Sequence, residues 1–154
     1  MPRFETTRVV PYSPEQMYAV VADIETYPQF LPMCESLVVR SRTVEGDVTT
    51  LVATMGIGYK AIRENFTTRV VLLPAASPMR IDVSYLDGPF KHLDNRWRFE
   101  PRATGSGVHF WIDYEFRSAM LGLVMGAVFD KAFRKFAEAF EDRARVVYGR
   151  AGAA

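Results

Sequence analysis

One cysteine, Cys34, stands in the 154-residue chain, so an internal disulfide framework is excluded and a reducing compartment fits. Histidine is scarce too, with only His92 and His109. No HExxH, CxxC or paired-histidine spacing occurs, so nothing points to a metal or to a catalytic cofactor. Charge of one sign is missing: 19 Lys+Arg oppose 18 Asp+Glu, a formal +1, which gives no general reason to expect nucleic acid, and DNA is not an expected partner. The start MPRFETTRVV lacks an apolar signal region. The longest uncharged apolar stretch, AMLGLVMGAVF at 119–129, is well short of the roughly 20 residues that cross a bilayer. The expected location is the cytoplasm, with peripheral contact at the inner face of the membrane left open. Repeats, low-complexity tracts and linkers are absent, so 1–149 reads as one domain followed by a loose tail at 150–154.

What is present alternates cleanly. RFETTRVV reads as a first strand. SPEQMYAVVADI reads as a short helix, with Ser13 as N-cap, Pro14 at the first helical position and Gln16 completing a capping box. ETYPQFLPMC holds Pro28 and Pro32 and is at most a broken helical segment. Between 36 and 117 six strand patterns follow, separated by turn signals at EGD, GIG, PAASP, DGPFKH and TGSG. From Ser118 to Tyr148 one long helix carries a stripe of Leu121, Val124, Met125, Val128, Phe129, Phe133, Phe136, Phe140 and Val147. Opposite charges four apart, Asp130–Arg134, Arg134–Glu138 and Glu141–Arg145, support its wet side. The order β-α-β6-α predicts an α+β helix-grip fold: a curved seven-stranded antiparallel sheet wrapped around the long terminal helix, with one or two short helices after strand 1.

Strand alternation sorts the side chains onto two faces. Val108, Phe110, Ile112, Tyr114 and Phe116 share the concave side, as do Asn95, Trp97 and Phe99, then Ile81, Val83 and Tyr85, then Ile62, Phe66 and Val70. Glu64 falls among the last set and is the better placed carboxylate for a cavity; Asp82 points outward. An aromatic stripe of this kind ordinarily fills a core. Tyr85 and Tyr114, whose hydroxyls need partners if buried, and a generous methionine supply also suit a cavity for an irregular apolar ligand. Cys34 reads as a buried inert thiol. Arg96, Arg98 and Arg102, with Lys91 and His92, form a basic outer stripe that cross-strand carboxylates, Asp113 and Glu115, account for.

VVADIETYPQFLPMC at 20–34 and YLDGPFKHLDNRWRFEP at 85–101 resemble the coenzyme Q-binding protein family of START-like domains, which groups with the polyketide cyclase and lipid-transport helix-grip proteins. The resemblance runs from Phe4 to about Tyr148. It implies non-enzymatic binding of ubiquinone or a similar prenylated lipid in an internal cavity, in support of respiration or quinone biosynthesis. Some bacterial members of the family are described as ribosome-association toxins that block subunit joining, so the ribosome stays open as a partner, as does a cyclase-like activity on a hydrophobic substrate. The expected ligand-binding set is Leu31, Phe66, Tyr85, Trp97, Phe99, Phe110, Tyr114, Met125, Phe129 and Phe133. Leu121, Val124 and Val128 on the helix, with Phe30 and Phe90, are expected to gate the cavity or touch membrane. Phe90 follows the DGP bend, where Gly88 precedes proline and is expected to sit extended. Gly122 and Gly126 would let a partner approach closely, a second subunit among the alternatives.

Overall fold

The computed structural model describes residues 3–149, so the expectation for 150–154 lies outside the described residues. Seven strands form one antiparallel sheet: β1 (Arg3–Val10), β2 (Cys34–Glu45), β3 (Val48–Tyr59), β4 (Ile62–Leu73), β5 (Met79–Asp87), β6 (Phe90–Arg102) and β7 (Gly105–Phe116). Strands β2 to β7 run as a meander, and β1 closes against β7, giving the order β1-β7-β6-β5-β4-β3-β2. Two helices complete the chain, α1 (Pro14–Ala22) and α2 (Ala119–Tyr148), with a 3-10 segment at Ile24–Gln29. This is the helix-grip arrangement the alternation of elements predicts.

Local chemistry sets the elements. Ser13 Oγ accepts from the Gln16 N–H at 3.1 Å while Gln16 Oε1 accepts from the Ser13 N–H at 2.9 Å, a reciprocal cap that fixes the start of α1. Ser118 caps α2 through the Leu121 N–H. Along α2 the buried positions are Met125, Phe129, Ala132, Phe133, Ala137, Phe140 and Ala144, steps of three and four that keep one face on the sheet. Val124 and Val147, assigned to that stripe from spacing, are instead exposed, because the stripe is narrower than the run of apolar residues. The alanines let the helix approach closely. Arg134 turns back to Asp130 at 3.0 Å, and its guanidinium lies over the Phe4 ring, rather than reaching forward to Glu138.

Two turn assignments shift. GIG at 56–58 lies inside β3, and the chain reverses at Lys60, which adopts φ 55°. Gly56 and Gly58 instead lie beside side chains of the neighbouring β2: a Cβ there would sit 2.3 Å from Ser36 Oγ and 2.3 Å from Glu35 Oε2 respectively, and those side chains would have to turn aside. Gly88 is not extended. Its φ is +142°, and a Cβ would fall 2.6 Å from Phe66 Cβ. Both the backbone conformation and the space demand glycine, so Gly88→Ala is expected to destabilise the fold by about 2 kcal/mol, read as a lower urea midpoint with unchanged slope.

Candidate functional site

Between the concave face of the sheet, the inner face of α2 and the 3-10 segment lies a cavity of about 110 Å³. It far exceeds the ~15 Å³ that one water requires, yet falls short of the ~300 Å³ that drug-sized sites start from. Leu31, Pro32 and Met33 supply one wall, anchored by the Gly58 N–H donating to the Met33 carbonyl at 3.0 Å. Strands β3 to β7 supply Ala53, Met55, Phe66, Val70, Ile81, Val83, Leu93, Trp97, Phe110 and Ile112. From α2 come Phe129, Ala132, Phe133, Phe136 and Phe140.

The polar groups on this wall are few, and most are committed. Trp97 Nε1 donates to Asn95 Oδ1 at 3.0 Å, and Asn95 Nδ2 donates to the Trp111 carbonyl at 2.9 Å. The Tyr27 hydroxyl donates to the Val21 carbonyl, and complete burial holds its pKa far above the ordinary phenol value. Thr68 is buried and its side chain lines the wall. Thr68 and Asn95 therefore offer the hydrogen-bonding capacity open to a ligand. Among the described residues the wall holds no carboxylate, imidazole, amine or thiol. Glu64, the expected cavity carboxylate, is half-buried near the start of β4 and does not reach the wall.

A model of the family described as "Polyketide cyclase / dehydrase and lipid transport" matches residues 10–141. The chain belongs to this START-like family. Among its relatives is the ribosome association toxin RatA of Escherichia coli, 37% identical over 149 residues, covering 96% of this chain and 90% of that protein. Another is the mitochondrial coenzyme Q-binding protein COQ10 homolog B of Xenopus laevis, 28% identical over 96% of this chain and 59% of that protein. An 18 kDa Caulobacter crescentus protein solved in solution superposes with a TM-score of 0.78 at 38% identity, covering 97% of this chain and all of that one.

Within this START-like cavity the expected ligand residues divide. Leu31, Phe66, Trp97, Phe110, Phe129 and Phe133 line it. Phe99, Tyr85, Tyr114 and Met125 do not. Phe99 is fully buried between Trp97 and the edge of Tyr18, toward α1. The Tyr85 hydroxyl accepts from the Phe90 N–H at 3.1 Å, closing the β5–β6 turn. Tyr114 and Met125 pack where α2 starts, beyond the void; burial, with Asp130 nearby, lifts the Tyr114 phenol to about 12. Sequence alternation finds the face but not the depth along it. Ile24, Ala53, Leu93 and Ala132 were missed, because small or aliphatic wall residues carry no signal that separates void from core.

The gate divides as well. Phe90 is no gate: it is 0% exposed and forms the hub of a cluster with Phe66, Tyr85, Tyr114, Phe116 and Phe129 at centroid distances of 4.9–6.2 Å. Phe30 is half-buried against Tyr27 and Phe140, with the Arg143 guanidinium over its ring, and lies off the cavity wall. Leu121 and Val128 are half-buried and Val124 is exposed, so the helix start does present apolar surface outward.

On the outer face of the sheet the basic stripe is paired, though largely along the strand. Arg96 meets Asp94, and Arg98 and Arg102 both meet Glu100, while Lys91 and His92 cross to Glu115 and Asp113. His109 sits on the same face with Nε2 2.7 Å from Glu5. Cys34 is buried, its Sγ 3.6 Å from the Ser36 carbonyl, and burial pushes its thiol up to about 11.

Two outcomes follow. Phe90→Ala removes the hub of the cluster and is expected to cost about 3–5 kcal/mol in urea unfolding. Cys34 is expected to react with a thiol reagent at neutral pH only after denaturation. Its raised pKa also means that the folded state disfavours thiolate, so its contribution to stability is lost as pH climbs from the unfolded value of 9.0 through about 11.

Proposed function

We propose that this chain binds a prenylated quinone, ubiquinone by preference, or a similar hydrophobic lipid in the START-like cavity and catalyses no reaction on it. The observation that carries this reading is the wall itself: aromatic, aliphatic and methionine side chains, with Thr68 and Asn95 as the open polar groups and no acid, base or nucleophile among the described residues. Proton transfer or covalent catalysis needs a titratable or nucleophilic group within reach of the ligand. Orientation of a carbonyl-bearing ring needs only a hydrogen-bond donor, which Thr68 and the second Asn95 N–H supply. The relative named as a coenzyme Q-binding protein supports the ligand class. At about 110 Å³ the cavity takes a ring-sized group or the first part of a chain, and a long tail extends beyond it.

The relatives named as ribosome association toxins, at higher identity, favour a second reading in which the chain acts on the ribosome. The two separate by experiment. Protein expressed in a quinone-making host, purified and extracted with organic solvent, is expected to release near-stoichiometric quinone detectable by mass spectrometry. Ala132→Leu fills the cavity from α2 with a good helix former and is expected to empty it while leaving the circular dichroism unchanged. Wild-type protein that is empty and takes up no added quinone would overturn the carrier reading. Co-sedimentation with the large ribosomal subunit, lost in Arg96→Glu/Arg98→Glu, would establish the second.

A further inference from the structure

The first three turns of α2 bury one face and leave the other bare. Met120, Leu123 and Val124 are 75%, 85% and 50% exposed, and Ala127 continues the same face. Met125 and Phe129, pointing the other way, are buried in the aromatic cluster. Single exposed apolar residues are ordinary on a protein surface; three large ones at steps of three and one on successive turns form a patch. No described residue covers it.

On α2 the unpaired charges beside this patch are cationic, since Asp130, three residues after Ala127, is held by Arg134. Lys131 and Lys135 continue the Ala127 row at four-residue steps, and Arg117 immediately precedes the helix. All three are exposed. Among the described residues none of them forms an ion pair, whereas Arg8, Arg80, Arg96, Arg98 and Arg134 are each held by a carboxylate. The first turn of α2 holds no acidic residue. Register places further exposed groups at this end of the sheet: the β3–β4 turn with Tyr59 and Lys60, and Leu86 at the end of β5 beside Asp87; of the other acids here, Glu35 is paired with Arg63 and Glu115 with Lys91, while Glu64 lies near the start of β4. The Leu31–Met33 wall of the cavity meets β3 here as well.

We infer that this end of the molecule docks on an anionic lipid bilayer, with the start of α2 lying in the headgroup boundary. The occupant must be apolar at its centre and negative around it. A bilayer with anionic headgroups is both, and an interfacial helix with an apolar face and flanking Lys/Arg is built for it. Nucleic acid would use the cations but leave Leu123 in water. A second copy meeting this face across a two-fold axis would bring two sets of unpaired cations into one interface. The inference stands on the helix surface and not on what occupies the cavity.

The test is flotation of the full chain with vesicles of phosphatidylcholine and of phosphatidylcholine mixed with phosphatidylglycerol. The chain is expected to float with the anionic vesicles and much less with neutral ones. Leu123→Asp is expected to lower binding by roughly tenfold or more, and Lys131→Glu/Lys135→Glu to remove the salt-sensitive part. These side chains are exposed, so thermal unfolding should be unchanged, and quinone content measured on the same samples reports the cavity separately. Failure of the wild type to float with anionic vesicles overturns the inference. So does undiminished binding by Leu123→Asp, or a wild-type dimer that Leu123→Asp converts to monomer.

Discussion

The packing of α2 across the concave face of the sheet is the contact on which the rest of the molecule depends. A curved seven-stranded sheet presents a continuous apolar concavity that no hairpin covers, and only a long helix spans it. Where Phe140 meets Trp97, Tyr27 and Phe30, the contact is dense: ring centroids lie 5.1–5.3 Å apart in edge-to-face geometry. A second dense region forms around Phe90 and Phe129, at the opposite end of the helix's buried face. Between these two, alanines at 132 and 137 set the helix close without filling the hollow of the sheet. The cavity is what the two aromatic clamps leave between them.

That arrangement explains why a void persists in an interior that would otherwise collapse. Rings held edge to face on both sides resist the sliding that would close it, and the Trp97–Asn95–Trp111 hydrogen bonds fix the wall across β6 and β7. The family's description spans polyketide cyclases, dehydrases and lipid transport. In this chain the hollow keeps its polar groups few and mostly bonded to one another. The buried thiol and the imidazoles sit elsewhere: Cys34 is off the cavity wall, and His92 and His109 are on the far face of the sheet.

Element boundaries and sheet faces were legible because their signals are local. A Ser-Pro-x-Gln cap, period-two alternation in HFWIDYEF and period-three-to-four spacing in α2 each follow from backbone geometry alone. What stayed hidden depends on contacts between distant segments. Phe90 looked like a flap because a DGP bend precedes it; only the pairing of Phe90 with Phe116 carries it into the core. GIG looked like a turn because glycine's usual meaning is a bend, while here it lies inside β3 beside Ser36 and Glu35. The depth of Tyr114 or Ala132 relative to the void is a property of three elements at once. Apolar composition marked 119–129 as unusual, but spacing could not show which of its residues the sheet leaves uncovered.

The free edge of the sheet at β2 carries a consequence for self-association. An open seven-stranded sheet ends in a row of unpaired backbone groups that another chain could extend. Here that edge is interrupted by irregular register between Cys34 and Ser36 and again between Val39 and Ser41, and it carries Arg40, Arg42 and Glu45 on largely exposed positions. A strand kinked twice and studded with charge is a poor template for addition. These bulges and charges therefore oppose edge-to-edge growth into fibrous aggregates from this side of the sheet, during folding and at high concentration.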